Sequence, residues 1–270
     1  MLGCNPKRGE NMRYALLWAL LLTALTAAEM EETGGLTTGL EGLDLENVSG
    51  SITVVGSLEE ELSVDWVITA AGQPGLDRVS VETSERDGRL LVSTSYGESE
   101  VDAGGGDVAY TVGVPNGWDG SLWLEQVSGD ITCTGGGSFN LYAECVSGRV
   151  EVRDVTGTTE LSAVSGEVVF GGLPKLAVAE VVSGSLEGAI EPLASDLQVE
   201  SVSGDITLSL PDELPGRIEV STLSGGLDIA PGLDGFTVED EPMGTEAWMG
   251  ESTPVLDIST VSGGISIRRI

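Results

Sequence analysis

Residues 127–131 read VSGDI, and residues 202–206 read VSGDI again. Around them the tripeptide VSG or LSG recurs with its glycine at Gly50, Gly129, Gly148, Gly166, Gly184, Gly204, Gly225 and Gly263. From Gly129 to Gly225 these glycines stand 19, 18, 18, 20 and 21 residues apart. Self-similarity at a fixed period of about 20 residues is the signature of a repeat architecture.

Aligning the units on that glycine exposes the period-two alternation of half-buried strands on both sides. Two residues after it stand Ile52, Ile131, Val150, Val168, Leu186, Ile206, Leu227 and Ile265. Five before it stand Leu45, Leu124, Ala143, Leu161, Ala179, Val199, Val220 and Ile258, and seven before is again mostly apolar. Each unit therefore reads as strand, SG turn, strand, with glycine supplying the positive φ of a sharp corner. One unit cannot bury its apolar face alone, but units stacked about 4.8 Å apart join these positions into continuous ladders. The expected fold class is all-β: a parallel β-helix or β-solenoid with VSG turns every 18–21 residues, preceded by a section of longer strands. The competing arrangement, antiparallel hairpins in a sandwich or barrel, calls for turn signals every 8–12 residues.

Met12 to Ala28 has the layout of a secretory signal, an arginine and then about fifteen apolar residues ending in small ones. Residues 1–28 are accordingly expected to be a leader, with Met12 the better start, and the apolar run is short for a membrane span. Residues 29–126 are expected to form an all-β section continuous with the solenoid, and 127–270 the solenoid repeats. The 38-residue gap from Gly225 to Gly263 holds an acidic insertion near 231–254, with Glu239, Asp240 and Glu241 and nearby Trp248 and Met249. It reads as one coil with a long insertion or as two coils, the first degenerate. The expected location is extracytoplasmic: periplasm, cell surface or secreted.

The chain has 270 residues, 44 acidic against 12 basic and no histidine, for a formal charge of -32. Such a charge repels phosphate backbones and anionic lipid, so nucleic-acid partners are excluded. Without histidine there is neither a Ser-His-Asp or Cys-His arrangement nor a His-ligated zinc site. Hydrolysis by two carboxylates remains chemically possible, but the few aromatics are scattered instead of lining one cleft.

Three sets of residues are candidates for more than packing. Glu125, Glu144, Glu180 and Glu200 stand four before the glycine, and Asp130, Glu167 and Asp205 one after it. Clustered carboxylates suit calcium, and the same residues also read as a solvated acidic edge, interrupted by Ser162 and Ser221. Cys133 and Cys145 are the only cysteines beyond the leader, and read either as a disulfide in an oxidising compartment or as two small core thiols. Trp123 and Tyr142 share the position six before the glycine in adjacent units, forming either an aromatic platform for a sugar or partner, or a cross-strand packing pair.

The sequence of features, an apolar leader, an early SGSITV, a middle VGVP and tandem VSGDI-type units closing on SGGISI, resembles the putative adhesin family of secreted β-helical domains, related to GIN-type autotransporter-adhesin-head domains. The resemblance runs from about Leu36 to Ile270. It implies a parallel β-helix outside the cytoplasm and brings no catalytic residues with it. The expected function is a non-enzymatic exported solenoid, an adhesin-like or structural module of the cell envelope or surface. The alternatives are a calcium- or glycan-binding module and, third, a carbohydrate-active enzyme on a β-helix. No cofactor other than calcium is expected, and the expected partner is a cell-surface component or glycan.

Overall fold

The computed structural model describes residues 30–97, 106–192, 194–211, 216–230, 236–241, 244–250 and 253–270. The leader at 1–28 and part of the acidic insertion lie outside the described residues. In chain order the strands are β1 (Met30–Thr38), β2 (Gly42–Ser57), β3 (Leu62–Ala70), β4 (Val79–Arg86), β5 (Arg89–Tyr96) and β6 (Asp107–Pro115). The repeats follow as β7 (Ser121–Gly137), β8 (Asn140–Val155), β9 (Thr159–Gly171), β10 (Leu176–Ala189) and β11 (Leu197–Leu210). The chain ends with β12 (Arg217–Ser224), β13 (Leu227–Ile229), β14 (Thr237–Glu241), β15 (Gly244–Met249), β16 (Val255–Ser262) and β17 (Ile265–Arg269). A single-turn helix, α1 (Gln73–Leu76), separates β3 from β4. All strands belong to one continuous hydrogen-bonded sheet.

The solenoid is real, and its units stack in parallel with the glycines aligned. Gly50 pairs with Gly129, Gly148 with Gly166, and Gly184 with Gly204. The expected SG turn, however, is a bend inside an unbroken strand: β2, β7, β8, β9, β10 and β11 each run straight through their VSG. In a parallel stack the ladder hydrogen bonds continue from coil to coil through the bend, so no reverse turn is needed. The positive φ expected of the glycines is present at six of the eight: Gly50, Gly129, Gly148, Gly166, Gly184 and Gly263. Gly204 and Gly225 have no left-handed φ, yet a Cβ on either would fall on the backbone carbonyl of the neighbouring coil's glycine, as it would at Gly129. Close approach is common to the whole column, and positive φ is added at positions such as Gly129 (φ 122°).

The apolar ladders form the core. The positions five before and two after the glycine are buried in the complete central coils, including Leu45, Leu124, Leu161, Val199, Ile52, Ile131, Val168 and Ile206. Phe139 and Leu173, from segments between strands, are buried with them, as are Phe170 at the end of β9 and Leu176 at the start of β10. The apolar residue two before the glycine behaves otherwise: Val48, Val127, Val146, Val164, Val182, Val202, Val261 and Leu223 are 40–51% exposed and cap the outside of the bend. One position earlier the side chain turns inward, and there the interior column is polar at both ends. Asn47 Nδ2 donates to Gln126 Oε1 and to the Val108 carbonyl, both at 2.9 Å. Thr94 donates to Asn47 Oδ1 at 2.9 Å and lies 2.8 Å from the Tyr110 hydroxyl. Cys145, Ala163 and Val181 continue the column, and Ser201, Thr260 and Thr222 end it.

At each end the spatial order departs from the sequence order. β16 and β17, the last unit, insert between the Gly204 coil (β11) and the Gly225 coil (β12, β13). The hairpin of β14 and β15 then covers β12 in antiparallel fashion. The long gap is thus one coil's length, β13 and β16, with a hairpin inserted, and the two end coils are exchanged in spatial order. The N-terminal end mirrors this. β2 lies between β7 and an outer coil made of β5 and β6, and β4 and β3 cover that coil antiparallel, with β1 beyond β3.

Candidate binding face

The strand segment before the bend directs two columns of side chains outward, four and six residues before each glycine. The first runs, in spatial order, Glu46, Glu125, Glu144, Ser162, Glu180, Glu200, Ser259, Ser221. The second runs Asp44, Trp123, Tyr142, Glu160, Val178, Gln198, Asp257, Glu219. Neighbours in a column are about 4.8 Å apart. Like charges at that spacing repel by about 1 kcal/mol or less in water, which a solvated face tolerates.

The candidate metal residues divide between two environments. Glu125, Glu144, Glu180 and Glu200 share the first column, and Ser162 breaks it between Glu144 and Glu180. Asp130 and Asp205 lie past the bend, where each accepts a backbone N–H from the next coil: Asp130 from Arg149 at 2.9 Å and Asp205 from Gly264 at 2.8 Å. These two carboxylates secure the bend, which accounts for aspartate in the VSGDI units. Glu167 accepts from Arg149 at 2.9 Å, in a chain of ion pairs with Glu151 and Arg153. The hydrogen bond from Arg153 holds the Glu151 carboxyl below its usual range. Among the described residues, no three His, Cys, Asp or Glu side chains are grouped to hold a metal ion.

The cysteines do not bridge; both thiols are free and buried. The stacking register is the reason. Cys145 lies opposite Gln126, before the bend, whereas Cys133 lies opposite Val152, beyond it. Burial pushes the Cys133 thiol up to about 12 and raises that of Cys145 as well, so neither is a thiolate nucleophile at neutral pH.

Trp123 and Tyr142 do meet. Their rings stack with centroids 4.8 Å apart and 19° between planes, and Trp123 remains 43% exposed. Trp123 Nε1 donates to Glu125 Oε1 at 2.8 Å, fixing the indole. Beside the stack, where Ser162 replaces a glutamate, the surface falls into a cleft of about 220 Å³ bordered by Tyr142, Glu144, Glu160, Val178 and Glu180. Glu125 and Glu200 are engaged by Trp123 and Gln198. Among the described residues, the carboxylates of Glu144, Glu160 and Glu180 face no cation and accept no hydrogen bond. Farther along the face, burial and the charges of Glu219 and Glu200 raise the Asp257 carboxyl above its usual range.

Two parts of this site were not read from the sequence. One is the cleft, which needs Glu160 and Val178 recognised as the continuation of the aromatic column. The other is the polar column inside the bend; its only sequence signal is a set of polar or small residues three before each glycine, where larger apolar ones would be expected.

Across residues 37–268 the chain matches the family described as Toastrack DUF4097. The chain belongs to the Toastrack DUF4097 family. That match upholds the main claim of the resemblance read from the VSGDI units, while the GIN-type relation receives no support from it. No curated protein matches the chain. Among solved structures, the Toastrack chain is similar to a putative cell adhesion protein from Clostridium sporogenes, at 14% identity over 89% of this chain and 100% of that one, TM-score 0.41. A putative adhesin from Bacteroides fragilis shows 11% identity over 89% and 97% of the two chains, TM-score 0.29. A putative adhesin from Parabacteroides distasonis shows 8% identity over the same shares, TM-score 0.25. Among the described residues, no helix of the Toastrack protein is long and apolar enough to cross a membrane.

Proposed function

We propose that this Toastrack protein is an exported, adhesin-like module of the cell envelope or surface, which binds a partner on its outer face and catalyses nothing. The observation that carries the reading is the exposed Trp123–Tyr142 stack on a stiff parallel sheet, beside carboxylates without partners. A large aromatic surface left half in water costs free energy that a bound partner recovers, and a solenoid holds such a surface in fixed geometry. The apolar leader at 12–28 supports export. The absence of histidine, together with two buried thiols of raised pKa, supports a non-catalytic role.

The test combines location and adherence. The full chain, tagged at its C-terminus, is expected to be cleaved near Ala28 and to be found outside the cytoplasm on fractionation. Cells displaying it are expected to adhere to a host or bacterial surface more than cells displaying the Trp123→Ala/Tyr142→Ala pair. A protein retained in the cytoplasm, or equal adherence of the two strains, overturns the reading.

A further inference from the structure

The polar groups around the cleft are unbalanced. Glu144, Glu160 and Glu180 offer acceptors and negative charge, while the donors are limited to the hydroxyls of Tyr142 and Ser162. A few carboxylates elsewhere on the surface have cations: Asp44 pairs with Arg89, and Glu151 and Glu167 pair with Arg149. With 44 acidic residues against 12 basic ones, many carboxylates have no such cation; what sets the cleft apart is that three of them border an aromatic π-face. A ligand that suits these groups brings positive charge and several donors, needs few donors in return, and is flat enough to lie on a ring. A neutral sugar meets only part of this, because its own hydroxyl and ring-oxygen acceptors would find few donors and the three carboxylates would stay uncompensated.

We infer that the cleft beside the Trp123–Tyr142 stack receives an arginine side chain from an extended basic segment of a partner protein. This rests on the reading of the face as a binding surface. A guanidinium carries five N–H donors and no acceptor in a planar fork. Over an aromatic face it gains cation–π attraction, and its edge donates to carboxylates in charge-assisted hydrogen bonds. Glu144 and Glu180 stand two coils apart, about 10 Å along the axis, with the short Ser162 between them, so a guanidinium fits in the gap with a carboxylate on either side. Val178 supplies apolar surface for the methylene stem. The surrounding negative field steers a basic segment toward the face.

The experiment is peptide binding to the purified protein at about 0.15 M salt, read by anisotropy. The probe is a short labelled, end-capped peptide with two arginines in a Gly/Ser context. Versions with lysine, or with neutral citrulline, in place of arginine are competitors, and chitohexaose is the sugar arm. The expected order is arginine over lysine, with citrulline at least tenfold weaker than arginine. Tyr142→Ala, which leaves the charge unchanged, is expected to weaken the arginine peptide at least tenfold. The isosteric pair Glu144→Gln/Glu180→Gln is expected to do the same without disturbing the fold, while Glu59→Gln, on an exposed segment elsewhere, changes affinity less than twofold.

The inference is overturned if Tyr142→Ala binds like the parent, if Glu59→Gln is as damaging as the glutamate pair, or if chitohexaose binds and the arginine peptide does not. The two readings fail separately. Adherence that depends on Trp123 and Tyr142 without arginine-peptide binding removes the assignment of the cleft and leaves the adhesive role. Peptide binding by a protein that never leaves the cytoplasm does the reverse.

Discussion

Gly129→Ala tests the central packing claim. The substitution adds one methyl at a residue whose φ is 122°, a conformation that costs an L-residue about 1–2 kcal/mol. The new Cβ falls on the Gly50 carbonyl oxygen, inside the 3.0 Å that real Cβ atoms respect, and the obstacle is backbone. β2 and β7 must separate locally, losing one or two ladder hydrogen bonds at a net of about 0.5–1.5 kcal/mol each. The total is about 2–5 kcal/mol. With a urea m-value of about 2–3 kcal/mol/M, the unfolding midpoint falls by about 1–2 M. Gly226→Ala is the matched control: it neighbours a column glycine, a Cβ there meets nothing within 4 Å, and its effect is expected to stay within about 0.5 kcal/mol. An unmoved midpoint for Gly129→Ala, or equal losses for both variants, refutes the close-approach argument.

Four further outcomes are expected. Ile206→Asp, placing a charge between Leu186 and Ile265 in the core, destabilises by about 4 kcal/mol or more, seen as a lower denaturant midpoint. Cys133 and Cys145 react with a thiol reagent at pH 8 only after denaturant is added, and they do so without prior reduction; one thiol equivalent or none would mean a bridge. Asp257 binds its proton more tightly folded than unfolded, so between its ordinary value of 3.8 and its raised folded value the native state holds more protons, and stability falls as pH rises. Asp257→Asn should therefore raise the melting temperature at pH 7 and leave it nearly unchanged below pH 3.8. Finally, molar sodium chloride raises the melting temperature by screening, and millimolar calcium does no more than magnesium; a calcium-specific rise would restore a metal site to the glutamate column.

The repeated coils were legible because one rule governs each of them. Glycine sits where backbones touch, and apolar residues sit two after and five before it, so eight aligned copies leave little freedom in the core. The VSG valines show the limit of that reading. They are as apolar as the core positions, but the bend puts them outside, and only a three-dimensional path distinguishes the two sides of a bent strand. The outer coil of β5 and β6 was missed because it carries no SG; Val108 occupies the place opposite Gly50. The exchanged order of the last two coils was also invisible, since spacing along a chain does not fix order in space. Trp123 and Tyr142 could be paired in advance because their units are adjacent in both sequence and space. The cysteines, only twelve apart in sequence, fall on opposite sides of the bend in the stacking register.

The exchanged C-terminal order has a consequence for biogenesis. Residues 255–269 form the layer between the Gly204 and Gly225 coils, and β12 and β13 reach the body of the protein only through that layer. Until residues 255–269 have been synthesised the layer does not exist, and β12, β13 and the hairpin of β14 and β15 have no coil to pack on. The docking of β12 and β13 therefore waits for residues 255–269 to emerge. A chain truncated just before Val255 would lose more than its own missing length, because the preceding unit and its hairpin would be detached as well.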